Sequence, residues 1–330
     1  MKHLHFDIEK DGFYGAYWKC KNKTDAGVIA MLGDDPEDYL AKKCVKWLNN
    51  LGFNVLTMSP GKKDYSHHNY PLERIEKAIS FLKENDNKKI GIIGASTTGT
   101  LALTSASYFS DISLTIAFTP SDFIWQGFAQ GNKDGCKEWP IDGESLFTYH
   151  NIPLPYMPFC YQHSEYWKMF KEECKSTGNV AASRRIFDDS ELAHPIKEEE
   201  FIKIENINGK LVLIGAMDDS LWNTAKYIRR MENRLKNKPH KCQEEIFVYE
   251  YGTHYVFPQS LIKNIFPLCS TLLLKLMFKS AKENSKECKN TRIDIEYRLL
   301  NILKDWKNAW NTILYQSWCG LVINLLLKNV

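Results

Sequence analysis

The sequence predicts an α/β protein built on a mostly parallel sheet, and three observations carry that reading. Short apolar runs recur at Gly27–Leu32 (GVIAML), Ile90–Ile93, Leu114–Phe118 and Lys210–Gly215 (KLVLIG), as expected of strands buried on both faces. Between them, apolar residues fall at three-and-four spacing, as in Ile75, Ala78, Ile79 and Leu82, which marks an amphipathic helix. Strands alternating with such helices make βαβ units and hence parallel pairing. Third, 330 residues suffice for one large α/β domain carrying an insertion.

Taken in order, His3–Ile8 and Phe13–Trp18 read as two short strands with Asp11-Gly12 as the turn between them, an antiparallel start to the sheet. The strand at Gly27–Leu32 ends at Gly33-Asp34-Asp35-Pro36. A helix over Glu37–Asn50 follows, closed by Leu51-Gly52, and Phe53–Met58 is the next strand. A polar loop through residues 62–70 leads to the helix containing Ile75, and that helix to the strand at Ile90. From Thr119 to about Glu205 the rhythm breaks into an aromatic- and proline-rich stretch that includes Trp125, Trp139, Tyr156, Tyr166 and Trp167. It reads as an insertion (119–205) of loops and short helices, a lid-like cover over the sheet's C-terminal edge. Such a cover either lines an apolar substrate pocket or holds a small core of its own. Regularity returns with the strand Lys210–Gly215, a helix over Trp222–Asn237 and a last strand at Glu245–Tyr251. Two helical segments, Pro258–Lys282 and Ile293–Leu327, finish the chain with the polar run Glu283–Asn290 between them. The whole of 1–330 is read as one domain, with 283–330 as a helical C-terminal extension.

Composition removes several classes of function. With 44% hydrophobic and 25% charged residues, disorder is not the default. A net charge of +3, with no basic stripe interleaved with aromatics, gives no sign of a nucleic-acid partner. Nine cysteines without a C-x-x-C pair, behind a start (MKHLHFDIEKDGF) that does not read as a secretory leader, suggest reduced thiols in a cytoplasm. The apolar stretch Trp318–Leu327 is too short to span a bilayer, which takes about 20 residues, and reads as a core helix or as the interface of a homo-oligomer. The histidines carry no metal-ligand spacing, so neither a metal nor another cofactor is expected.

The chemistry concentrates at Lys88–Ser107 (KKIGIIGASTTGTLALTSAS). A buried strand runs into Gly94-Ala95-Ser96-Thr97-Thr98-Gly99, and a small-residue helix follows. This is the arrangement of a nucleophile elbow, in which a strained turn lifts a serine hydroxyl above the sheet while the helix N-terminus favours negative charge. The usual pattern has glycine two residues after the serine; here that place is taken by Thr98, with Gly99 one step later. Serine hydrolysis also needs a base and an acid that orients it. In the α/β-hydrolase fold these arrive in the order Ser, Asp or Glu, His, each after a successive strand. Ser96, the pair Asp218-Asp219, and His254 stand in that order, each just beyond a strand. Asp122, after the strand preceding the insertion, is a rival acid, and Asp218-Asp219 could equally be a helix cap. His67 and His68 read as surface or pocket-rim residues. Backbone N–H groups of Thr97 and of the Gly33-Asp34-Asp35 loop, with Asp34 the main candidate, would hold the oxyanion.

With these pieces placed, the chain resembles the acyl-CoA thioesterase / bile acid-CoA:amino acid N-acyltransferase family in its C-terminal catalytic domain, over roughly residues 26–280. Tyr70-Pro71-Leu72-Glu73 with Glu76 and Ala78 is similar to the family's helix before the elbow, and Gly94-Ala95-Ser96 to its nucleophile turn. Gly215 followed by Asp218-Asp219-Ser220-Leu221-Trp222 is similar to its Asp-Asp-x-x-Trp acid motif, and Tyr251-Gly252-Thr253-His254-Tyr255 to its histidine turn.

The resemblance implies an α/β-hydrolase that cleaves an acyl thioester such as an acyl-CoA through an acyl-enzyme, with Ser96 as nucleophile, His254 as base and Asp219, the second aspartate, as acid; Asp218 is the alternative acid. Serine rather than the cysteine of the amino acid-conjugating members implies hydrolysis rather than transfer to an amine. Asp34-Asp35 stands where a glycine-rich loop is expected, and only about 25 residues precede the first core strand, so the N-terminal β-sandwich domain of the animal members is not expected. Two alternatives stay open: a carboxylesterase or dienelactone-type hydrolase, and a catalytically silent member that binds an acyl ligand or a partner.

Overall fold

The computed structural model describes residues 3–60, 66–267 and 270–327, with side chains through residue 309 except residue 270. Eight strands form the central sheet: β1 (Leu4–Phe6), β2 (Gly15–Trp18), β3 (Ala26–Met31), β4 (Asn54–Met58), β5 (Lys89–Ala95), β6 (Ile112–Phe118), β7 (Lys210–Ala216) and β8 (Gln243–Tyr249). Their order across the sheet is β1-β2-β4-β3-β5-β6-β7-β8. The pairs β1/β2 and β2/β4 are antiparallel, and every other neighbour pair is parallel. The expected antiparallel start and parallel body are both present. Ile8–Asp11, expected as part of the first strand and its turn, is instead one turn of helix ended by Gly12 at φ 80°.

The strands are buried on both faces because helices cover both. Along β7, Leu211 and Leu213 enter one core while Val212 and Ile214 enter the other, as the two-residue period of a strand dictates. One face is covered by α2 (Glu73–Glu84), α3 (Thr97–Tyr108) and α6 (Thr224–Asn237); Ile75, Ala78, Ile79 and Leu82 of α2 are all buried there. On the other face lie α1 (Tyr39–Asn50), α7 (Gln259–Ile265) and the C-terminal helices α8 (Ser270–Met277), α9 (Lys279–Glu283) and α10 (Ser285–Leu327). The polar run 283–290 is not a linker: all of it but Asn284 is helical, the end of α9 and the start of α10. Its lysines and glutamates are good helix formers, so the break falls at Asn284 and α10 runs through 43 residues. Ile295, Leu299, Leu303 and Trp306 of α10 are buried in the second core, and Trp306 Nε1 donates to Ser113 Oγ at 3.1 Å. The side chains of Trp318–Leu327 lie outside the described residues. Among the described residues no helix is long and apolar enough to cross a membrane.

Between β6 and β7 the chain contains a β-hairpin besides the expected loops and helices. Gln126–Lys133 pairs with Cys136–Ser145 in an antiparallel hairpin. Its turn is Asp134-Gly135, both at positive φ (51° and 75°), the conformation that a two-residue hairpin connection requires. The Asp-Gly pair is the local signal for it. Two helices follow, α4 (His163–Thr177) and α5 (Arg184–Ala193).

Candidate active site

The elbow forms where β5 meets α3. Ser96 sits at φ 59°, ψ −129°, a conformation non-glycine residues avoid and one that costs on the order of 1–3 kcal/mol. Its N–H is tied to Phe118 O at 2.9 Å. The turn is tight enough that a Cβ on Gly94 would stand 2.0 Å from Thr98 O, and one on Gly99 2.9 Å from Phe118 O. Gly99 therefore meets the close-approach requirement one position beyond the usual place. Thr98 clamps the elbow to the end of β3. Its Oγ1 accepts the Ala95 N–H at 2.9 Å and lies 2.8 Å from both Met31 O and Ala95 O. Thr97 opens α3, so its N–H has no acceptor within the helix.

Asp219 and His254 come together beyond β7 and β8. The ring Nδ1 lies 3.0 and 2.9 Å from the two carboxylate oxygens, and both residues are buried. Asp219 also accepts the Leu221 N–H at 2.9 Å and the Thr224 hydroxyl. A carboxylate on Nδ1 selects the tautomer with its proton there, leaving Nε2 with a lone pair. Among the described residues Nε2 has no hydrogen-bond partner, so it is not bonded to Ser96. Such bonds are often long or misaligned until substrate is seated. Trp222 stands edge-on to the imidazole, centroids 4.9 Å apart, and its own Nε1 donates to Thr119 O at 3.0 Å. The Asp-Asp-x-x-Trp spacing thus sets one carboxylate and one indole against the same ring.

Asp218 does not reach the imidazole. Its Oδ1 accepts the N–H groups of Gly252 (2.9 Å) and Thr253 (2.7 Å), and Oδ2 accepts the Ser280 hydroxyl, so it is not placed to serve as the alternative acid. Asp122 is engaged elsewhere too, bidentate with Arg230 at 2.6 and 2.7 Å. Burial pushes its carboxyl up to about 6 against the pull of that guanidinium. The Asp34 N–H, expected as the second oxyanion donor, instead donates to Asp38 Oδ2 at 2.8 Å, and the Asp35 N–H lies 3.3 Å from the same oxygen. Asp38 is the N-cap of α1, and its free oxygen folds the preceding loop onto itself. Of the two histidines expected at the surface or a pocket rim, His67 is fully buried and lines the cavity that holds Ser96, while His68 is exposed beside Glu144. No group of side chains suited to a metal ion occurs among the described residues.

Ser96, Thr97, Gly33, Asp34 and His254 line one cavity of about 430 Å³. Its remaining walls are largely apolar. The insertion contributes Trp125, Phe128, Tyr166, Phe170 and Phe187, and the C-terminal helices contribute Ile262, Leu274 and Met277. Asp34, Glu138 and no lysine or arginine are among the described lining residues.

An eight-stranded sheet of this order, with a strained serine after β5 and a carboxylate–histidine pair after β7 and β8, defines an α/β hydrolase. The BAAT / acyl-CoA thioester hydrolase C-terminal family matches residues 70–280, and the chain belongs to that family. No curated protein matches the chain. Among solved structures it is similar to an esterase of Pyrococcus furiosus (16% identity, 93% of this chain and 91% of that one, TM-score 0.49). An α/β hydrolase from a Medee basin deep-sea metagenome library is another (12% identity, 92% and 98%, TM-score 0.48). The protein is an enzyme of the hydrolase class, of ester or thioester type.

Proposed function

We propose that this protein hydrolyses an acyl thioester through an acyl-enzyme on Ser96. The observation that carries the reading is the buried Asp219–His254 pair, whose unpartnered Nε2 belongs to a residue lining the same apolar cavity as Ser96. His254 Nε2 takes the Ser96 proton as Oγ adds to the acyl carbon, and Asp219 stabilises the resulting imidazolium. The Thr97 N–H at the start of α3 holds the oxyanion. Its second donor falls to Gly33, which lines the same cavity. The C–S bond then breaks and the thiolate takes the proton from His254. A water then adds to the acyl carbon, giving its proton to His254; the acyl C–Oγ bond breaks, His254 returns the proton to Ser96 Oγ, and the carboxylic acid is released. The apolar walls receive the acyl chain. Seven unpaired cysteines among the described residues support a reducing, cytoplasmic setting.

Labelling with a fluorophosphonate probe tests the nucleophile. Wild type should label and Ser96→Ala should not, with its far-UV spectrum unchanged; equal labelling of both refutes the assignment. A matched panel of thioesters and oxygen esters then separates a thioesterase from a carboxylesterase. A folded wild type that resists the probe would count against Ser96 as an activated nucleophile; the Asp34 N–H, the expected oxyanion donor, is held by Asp38.

A further inference from the structure

We propose that Asp218 is a positioning residue for His254, acting through the backbone of the turn that carries the histidine. The inference rests on the reading of His254 as the base. Asp218 and Asp219 are adjacent after β7, and their carboxylates serve the same histidine from opposite ends: Asp219 holds the ring, Asp218 the two peptide N–H groups just before it. That backbone needs holding. Thr253, β-branched, sits at φ 60°, a conformation such residues adopt only under outside constraint. Gly252 offers no slack either, since a Cβ there would stand 2.5 Å from Val256 Cγ1. Two N–H groups on one charged oxygen form strong, directional bonds that keep the turn in this shape. The Ser280 hydroxyl anchors the other oxygen to α9, immediately after α8, whose Leu274 and Met277 line the cavity. Asp218 thus connects a wall of the cavity to the histidine.

The test compares Asp218→Ala, Asp218→Asn and Ser280→Ala with wild type, by steady-state kinetics, fluorophosphonate labelling rate, the low-field proton resonance of His254 Nδ1–H and amide hydrogen exchange. In Asp218→Ala the labelling rate and kcat should fall about tenfold or more, with KM within about twofold, because a small misplacement of a base is costly. The low-field resonance should be lost in the same variant. Asp218→Asn should recover most of the loss, since its Oδ1 still accepts both N–H groups and its amide can donate to Ser280. A folded Asp218→Ala with wild-type labelling and resonance overturns the proposal, as does an Asp218→Asn as impaired as the alanine variant. Should Asp218→Ala not fold, Ser280→Ala decides: exchange at Gly252 and Thr253 should quicken, and unchanged exchange overturns the inference. A wild type that the probe does not label refutes the serine-hydrolase reading, while resonance and exchange still decide the role of Asp218.

Discussion

At the scale of single residues the site turns on which carboxylate touches which nitrogen. Asp219 meets His254 Nδ1 and Asp218 meets peptide N–H groups, although the two are neighbours in sequence. Replacing Asp219 by Asn keeps the shape but offers an amide N–H where the imidazole needs an acceptor, so the ring is held in the wrong tautomer. Asp219→Asn is therefore expected to lower kcat about 10³–10⁴-fold with KM little changed. Steady-state kinetics beside a thermal melt would check this, and wild-type turnover would remove Asp219 from the mechanism. The elbow is also decided residue by residue. The departure at Thr98 costs nothing in close packing because Gly94 and Gly99 occupy the crowded positions, and the hydroxyl of Thr98 replaces backbone freedom with a clamp.

At the scale of elements, the loop between β3 and α1 is governed by the cap of the helix it precedes. Asp38 Oδ1 accepts the Ala41 N–H at 2.8 Å while Oδ2 takes Asp34 and Asp35. Asp38→Ala should destabilise the protein by about 1–2 kcal/mol, with Asp38→Asn milder because its oxygen still caps. Urea unfolding of the two variants measures the difference, and equal midpoints for all three proteins would contradict the capping role. Element identity is legible where periodicity is strong: β3 to β8 and α1, α2 and α6 fall within a few residues of the expected positions. The misses have local causes. The hairpin at 126–145 hides behind an aromatic, proline-containing composition although Asp134-Gly135 marks its turn. The run at 283–290 reads as a linker on polarity alone, whereas only Asn284 interrupts the helix there and the other polar residues lie mostly on the exposed sides of α9 and α10.

At the scale of the whole molecule, the cavity belongs to no single element. Its walls are Trp125 and Phe187 from the insertion, Leu274 and Met277 from the C-terminal helices, and the loops that bring Ser96 and His254. The insertion is fastened to those helices at the cavity's edge: Val180 N donates to Met277 O at 2.9 Å and Lys279 N to Asn179 Oδ1 at 2.8 Å. If the acyl chain occupies this space, a bulkier wall should shorten it. Leu274→Trp is expected to depress turnover of long acyl thioesters about tenfold while sparing short ones, since overpacking a filled apolar site costs about 1–3 kcal/mol. A chain-length series measures this, and an unchanged profile would place the acyl group elsewhere.

The layers, the elbow, the Ser–Asp–His order and the family are legible in the chain alone, because these rest on short-range regularities: the two-residue period of a strand, the 3.6-residue period of a helix, and glycines where backbones nearly touch. The pairing of the polar groups emerges only in the fold. Asp122 went to Arg230, 108 positions away, Asp218 to the turn before His254, and the Asp34 N–H to Asp38. The cavity likewise joined Ser96 to helices more than 150 residues downstream. A carboxylate or a peptide N–H pairs with whatever the folded loops bring within about 3 Å, and no local pattern encodes that distance.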